Sequence, residues 1–153
     1  MIYNEAITGK QDIFQKGGPQ SALQDFYQAF NARDLQKMTA NWLQTEEASM
    51  SNPLGGVRRG WDEVAAVYQR IFSGKAEVYV EFYDYSIHQS EGVFCAVGRE
   101  RGTFETSGQK IELAIRTSRI YRKLDGCWQQ LHHHGSIEQP ELLKSYQAAV
   151  VNK

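Results

Sequence analysis

Three of the chain's four histidines stand together in Gln129-Gln130-Leu131-His132-His133-His134-Gly135-Ser136. Imidazoles bind metals and move protons near neutral pH, so this run is the first place to look for chemistry. The stretch has strand character, and side chains alternate between the two faces of a strand. His132 and His134 therefore share one face with Trp128, Gln130 and Ser136, and His133 shares the other with Leu131 and Cys127. Three consecutive strand residues cannot converge on one ion. His88 lies on a different strand and gives no well-placed third ligand, so no metal is expected here. His133, just before Gly135, is the candidate for a general acid or base, or for a neutral hydrogen-bonding partner.

Two arginines offer another kind of chemistry. In Val93-Phe94-Cys95-Ala96-Val97-Gly98-Arg99 the arginine alternates with Val97 and Cys95, which reads as the inward face. In Leu113-Ala114-Ile115-Arg116-Thr117-Ser118-Arg119-Ile120-Tyr121, Arg119 shares its face with Ile115, Thr117 and Tyr121. A buried guanidinium needs a partner. That partner is either an internal carboxylate or an anionic group on a ligand, which arginine recognises well. Glu100, opposite in phase to Arg99, does not obviously serve. Asn52, ahead of Pro53, either caps a local turn or orients a polar group at a cavity mouth.

The elements that must carry these residues are readable. Apolar residues at Ala22, Leu23, Phe26, Tyr27 and Phe30 have helical spacing, with Pro19 suited to a first turn. Asp34 is an N-cap for a short second helix, and a third runs from about Trp61 to Phe72. Between them Ala48, Met50 and Asn52 alternate as a short strand, ending in a Pro53–Gly56 turn. The second half holds four long β-branched and aromatic runs. Turns at Ser90-Glu91-Gly92, Ser107-Gly108 and Asp125-Gly126 separate them into an antiparallel meander. Pro140 opens a closing helix to about 151. The order is α+β: one curved antiparallel sheet around N-terminal helices, enclosing a cavity.

At 153 residues, 41% hydrophobic and 23% charged, the chain has the size and composition of one folded domain, with a core over about 20–136. Its formal net charge of −1 gives no electrostatic reason to expect nucleic acid or an anionic membrane as partner. No signal peptide or membrane span is legible. Cys95 and Cys127 lack a redox or metal spacing and read as free thiols of a cytoplasmic protein. No nucleophile–base pair, phosphate loop or coenzyme fingerprint is present, and no cofactor is expected.

Three segments carry a family likeness: Phe26–Trp42, Ala48–Val64 and Ser118–Ser136. Together they resemble the cone fold of the nuclear transport factor 2-like superfamily. The last segment, where a Trp after an Asp-Gly turn leads a strand with H-x-H and then Ser, is most similar to the end of the association domain of calcium/calmodulin-dependent kinase II, and is similar to SnoaL-like proteins as well. The superfamily spans enzymes and non-catalytic modules, so fold alone does not fix activity. Its ketosteroid isomerase chemistry needs a carboxylate where Asn52 stands. The isomerase's two donors would match Phe26, or Tyr27 on a one-residue slip, and a position near Ala114, so that reaction is not expected. The likeness to the association domain places cavity arginines at Arg99 and Arg119 and a further arginine at Gly135, which lacks one.

The resulting expectation is a cavity holding Arg99 and Arg119, with His133, Asn52, Trp42 and Tyr27 near its wall. It would bind a small apolar ligand with an anionic or accepting end. The alternatives are a SnoaL-like cyclase, isomerase or hydratase using His133, and a pure association module. The resemblance further implies a homodimer through the outer sheet face, where His132 and His134 would lie.

Overall fold

The structure, a computed structural model, describes residues 1–10 and 14–151. Its elements run α1 (Pro19–Asn31), α2 (Leu35–Asn41), β1 (Ser49–Ser51), β2 (Val57–Arg59), α3 (Trp61–Ser73), β3 (Glu77–Ser90), β4 (Val93–Thr106), β5 (Gln109–Leu124), β6 (Cys127–Ile137) and α4 (Pro140–Val151). The six strands form one curved sheet in the order β2-β1-β6-β5-β4-β3. All neighbours are antiparallel except β1 and β6. The fold is α+β, with the helices against the concave face of the sheet.

Local chemistry explains the boundaries. Pro19 fits the first turn of α1, where a missing N–H is harmless. Asp34 caps α2 by accepting from the Lys37 amide at 3.0 Å. Ala22, Leu23, Phe26, Tyr27 and Ala29 are the buried stripe of α1. They pack with Met38, Val64, Val67 and Tyr68 over Val80, Phe82, Phe94 and Phe104 from the sheet. The sequence pattern missed β2, whose three exposed residues carry no apolar alternation. It also missed an N-terminal edge, where Tyr3 and Ile7 bridge to Tyr85 and Phe82 of β3.

Curvature comes from small residues and bulges. A Cβ on Gly102 would lie 1.8 Å from the Tyr79 carbonyl oxygen, so only glycine lets β4 approach β3 there. One bulge interrupts β3 between Tyr83 and Ser86. Another inserts Leu131 into β6, since Ile120 pairs with His132 while Tyr121 pairs with Gln130. A bulge reverses the facing of every residue on one side of it. Gln130 and Trp128, assigned by strict alternation to the outer face, therefore turn inward. Gln130 is fully buried and Trp128 meets Phe94 edge-on.

Candidate functional site

The concave side of the sheet bounds a partly open cavity of about 160 Å³. Its walls come from α1 (Phe26, Phe30), α3 (Val67, Ile71) and the sheet (Val80, Phe104, Ile115). The Asn52–Leu54 turn, Arg70, and Tyr146 and Val150 of α4 also line it. Tyr146 stacks edge-on against Phe104 at 5.2 Å, so the closing helix lies over the cavity. Burial, and next the nearby Glu100 carboxylate, push the Tyr146 phenol up to about 12.

The floor is polar. Arg119 is 2% exposed, and its guanidinium lies 3.6 Å above the centre of the Phe26 ring. It donates from Nη2 to Glu100 Oε1 at 2.8 Å, from Nη1 to Gln130 Oε1 at 2.8 Å and from Nε to Tyr27 Oη at 3.2 Å. Tyr27 Oη in turn donates to Glu100 Oε1 at 2.7 Å. Behind this, Gln130 Nε2 and Tyr121 Oη both donate to Asn41 Oδ1, and Asn41 Nδ2 donates to the Ala22 carbonyl. The network satisfies a buried cation with one carboxylate and neutral oxygens, as such burial requires. Burial alone would weaken the hold of Arg119 on its proton, but the Tyr27 phenol and Glu100 outweigh it and the guanidinium stays charged. Burial likewise holds the Tyr27 phenol well above its usual range. Both bonds to Glu100 fall on Oε1, and among the described residues Oε2 accepts none.

His133 sits beside Arg119 in the register of β5 and β6 and lines the same cavity. It is 7% exposed, and neither ring nitrogen has a hydrogen-bond partner among the described residues. Burial first, then the Arg119 cation, hold the imidazole well below its ordinary pKa, so it is neutral at pH 7. Gly135 makes room for this arrangement. A Cβ there would lie 2.8 Å from Pro53 Cγ and 3.2 Å from His133 Nε2.

The remaining expected residues are distributed differently. Arg99 is not in the cavity: its side chain is 47% exposed on the convex face, paired with Asp84 at 3.3 Å and Glu138 at 3.2 Å. The physical reason is parity. Across an antiparallel pair directly opposed residues share a face, and Arg99 opposes Arg116 while Glu100 opposes the buried Ile115. The inner face of β4 is Phe94, Ala96, Glu100 and Phe104, which outweighs the Cys95–Val97 pair that suggested the reverse. Glu100 is thus the buried carboxylate that Arg119 required. Tyr27 and Trp42 are fully buried one layer behind the cavity wall. Trp42 packs on Trp61 and Tyr68, and among the described residues neither Trp42 Nε1 nor Tyr68 Oη completes a hydrogen bond; burial holds the Tyr68 phenol well above its usual range. Asn52 both caps its turn, accepting from the Leu54 amide at 2.9 Å, and lines the cavity. His132 is away from the cavity, its Nδ1 2.7 Å from Ser49 Oγ.

A family described as SnoaL-like domain matches residues 20–140. Among solved structures, the chain is similar to a candidate calcium/calmodulin-dependent protein kinase type II association domain from Thiobacillus denitrificans. That match has 24% identity and a TM-score of 0.64, covering 79% of this chain and 95% of that one. It is also similar to a candidate dehydratase of the nuclear transport factor 2-like family from Streptomyces avermitilis, with 20% identity, TM-score 0.68, and 77% and 91% of the two chains covered. A cystatin-like protein from Caulobacter vibrioides matches with 18% identity and TM-score 0.67 over 88% and 95%. At these identities the likeness establishes the fold alone. No protein of curated function matches in sequence.

Proposed function

The chain belongs to the SnoaL-like domain family, and we propose that it binds a small molecule in the cavity between sheet and helices. The ligand's apolar body rests against Phe26, Val80, Phe104 and Ile115. Its polar, hydrogen-bond-accepting end reaches the floor made by Arg119, Glu100 and His133. The observation that carries this reading is the pair of unpartnered His133 nitrogens in the cavity wall. Buried polar atoms almost always have partners, and a bound molecule supplies them here. The test is thermal stabilisation by toluene, an apolar probe of cavity size, with Ile115→Phe as the variant that fills the space. Stabilisation of the wild type and its loss in the variant are expected; a wild type that responds neither to toluene nor to its hydroxylated analogue p-cresol refutes the reading.

A second reading, catalysis, rests on the same histidine. A neutral imidazole inside a cavity is able to take a proton from a bound carbonyl compound, as a SnoaL-like cyclase, isomerase or hydratase would require. Hydrogen–deuterium exchange at the α-carbons of cyclohexanone, followed by NMR with and without protein, tests it. Exchange no faster than in buffer removes the reading.

The same proposal includes a cytoplasmic protein of one domain that pairs through its convex sheet face. Two of the similar structures carry the name association domain, and this face presents Val97, 43% exposed, among His132, His134 and Arg116. Sedimentation showing only monomers at micromolar concentration refutes the pairing.

A further inference from the structure

We infer that the cavity selects a neutral, single-ring compound carrying a hydroxyl group, a phenol or cyclic enol, rather than a carboxylate. The inference rests on the reading that the cavity binds a ligand at all, and narrows what that ligand is.

Charge comes first. The buried floor already contains one cation and one anion in contact, Arg119 Nη2 and Glu100 Oε1 at 2.8 Å. An incoming carboxylate would meet an arginine whose charge is balanced and would bring a second anion beside Glu100; the other cation of the lining, Arg70, is exposed to solvent, and no other buried cation offsets it among the described residues. Arg99, the second half of an anion clamp, faces the other side of the sheet. An amine would meet Arg119 itself. The complement of the floor is a neutral group.

Hydrogen-bonding capacity comes next. A neutral imidazole offers one N–H and one lone pair, and neither is used by His133. Glu100 Oε2 adds an acceptor that no described residue occupies. Floor and wall therefore hold two open acceptors, together with open donors on His133, on the Tyr68 hydroxyl and on Arg119, whose five N–H groups make three bonds. A ketone or ether would serve donors alone and leave both acceptors empty. A hydroxyl donates and accepts, and so engages both kinds.

Size sets the rest. An apolar engineered cavity of about 150 Å³ holds benzene, and this one measures about 160 Å³. One ring with a small substituent fits with α4 in place. The walls suit an aromatic face, with Phe26, Tyr68 and Phe104 around the space.

The experiment titrates p-cresol, toluene and benzoate into the wild type and His133→Leu by calorimetry, and follows the histidine ring nitrogens of the wild type by ¹⁵N NMR. In the wild type p-cresol should bind about tenfold tighter than toluene, the value of about one net hydrogen bond. Benzoate should not bind. Cresol should move the His133 nitrogen resonances, whereas toluene should leave them in place. His133→Leu should keep toluene binding and lose the preference for cresol. Toluene binding without a cresol preference, or benzoate binding as well as cresol, overturns the hydroxyl assignment and leaves the cavity reading standing. Failure of all three ligands removes the cavity reading and this inference with it.

Discussion

Replacing His133 by leucine should stabilise the folded protein, an unusual expectation for a residue at the centre of a candidate site. Imidazole and isobutyl groups are close in volume, and His133 makes no hydrogen bond that leucine would break. Each buried, unpartnered polar group costs about 1–3 kcal/mol, and the ring has two. Allowing about 1 kcal/mol for repacking against Pro53 and Gly135 leaves a gain of roughly 1–5 kcal/mol. For a chain of this length that is about 2–20 °C in Tm. The gain should grow in acid. The folded-state pKa of His133 is depressed by burial and by Arg119, so below about pH 6.5 the unfolded chain takes up a proton that the native one excludes. Wild-type stability from this group is therefore whole above that pH and falls as pH drops. The deficit reaches about 1.4 kcal/mol at pH 5.5, provided the native group is still neutral there. His132, whose pKa burial also lowers, adds a slope that both proteins share and that cancels in the comparison. Urea denaturation followed by tryptophan fluorescence, from pH 7.5 to 5.5, measures both effects. A His133→Leu protein less stable than wild type at pH 7.5, or two stability curves that stay parallel on acidification, would refute the reasoning.

Other perturbations separate structure from site. Arg119→Met and Glu100→Leu should each cost about 3–5 kcal/mol by leaving the other member of the buried pair uncompensated, whereas the two combined should recover most of the loss; denaturation of wild type, the two single variants and the double variant forms the cycle. Arg99→Ala, at an exposed pair, should change stability by no more than about 1 kcal/mol and leave equilibrium affinity for p-cresol as it was, by calorimetry. Gly102→Ala should destabilise by more than about 3 kcal/mol, since its methyl group would meet the Tyr79 carbonyl, or prevent soluble expression. Asp34→Ala should cost about 1 kcal/mol through loss of the α2 cap, measured by thermal unfolding.

The helices, their caps and the four long strands are legible in the sequence because each is written in local terms: Pro19, Asp34 and Pro140 at helix starts, Asp-Gly and Ser-Gly turns, and period-two runs. Arg119 is legible as an inward cation for the same reason, since Ile115, Thr117 and Tyr121 keep its phase without a break. What local pattern does not contain is pairing. The partner of Arg119 is Glu100, and its facing follows from the register between β4 and β5 rather than from the three residues beside it. Gln130 was hidden by a bulge, which changes phase without a glycine or proline to announce it. Tyr146 lies on a helix whose packing over the sheet depends on the chain reversal at Glu138–Pro140, a tertiary fact.

The closing helix has a kinetic consequence. It bears one fully buried residue, Ala149, and covers the cavity with Tyr146 and Val150. Glu138, just ahead of it, is held by its amide to the Ala114 carbonyl and by its carboxylate to Arg99. Where a bound molecule leaves past this helix, the time it remains is set by how firmly the helix is seated as much as by what the floor offers. Arg99, on the outside of the sheet, becomes a latch for the exit. Arg99→Ala should speed association and dissociation of p-cresol together in stopped-flow measurements, with their ratio preserved; unchanged rates would show that the ligand leaves by another path.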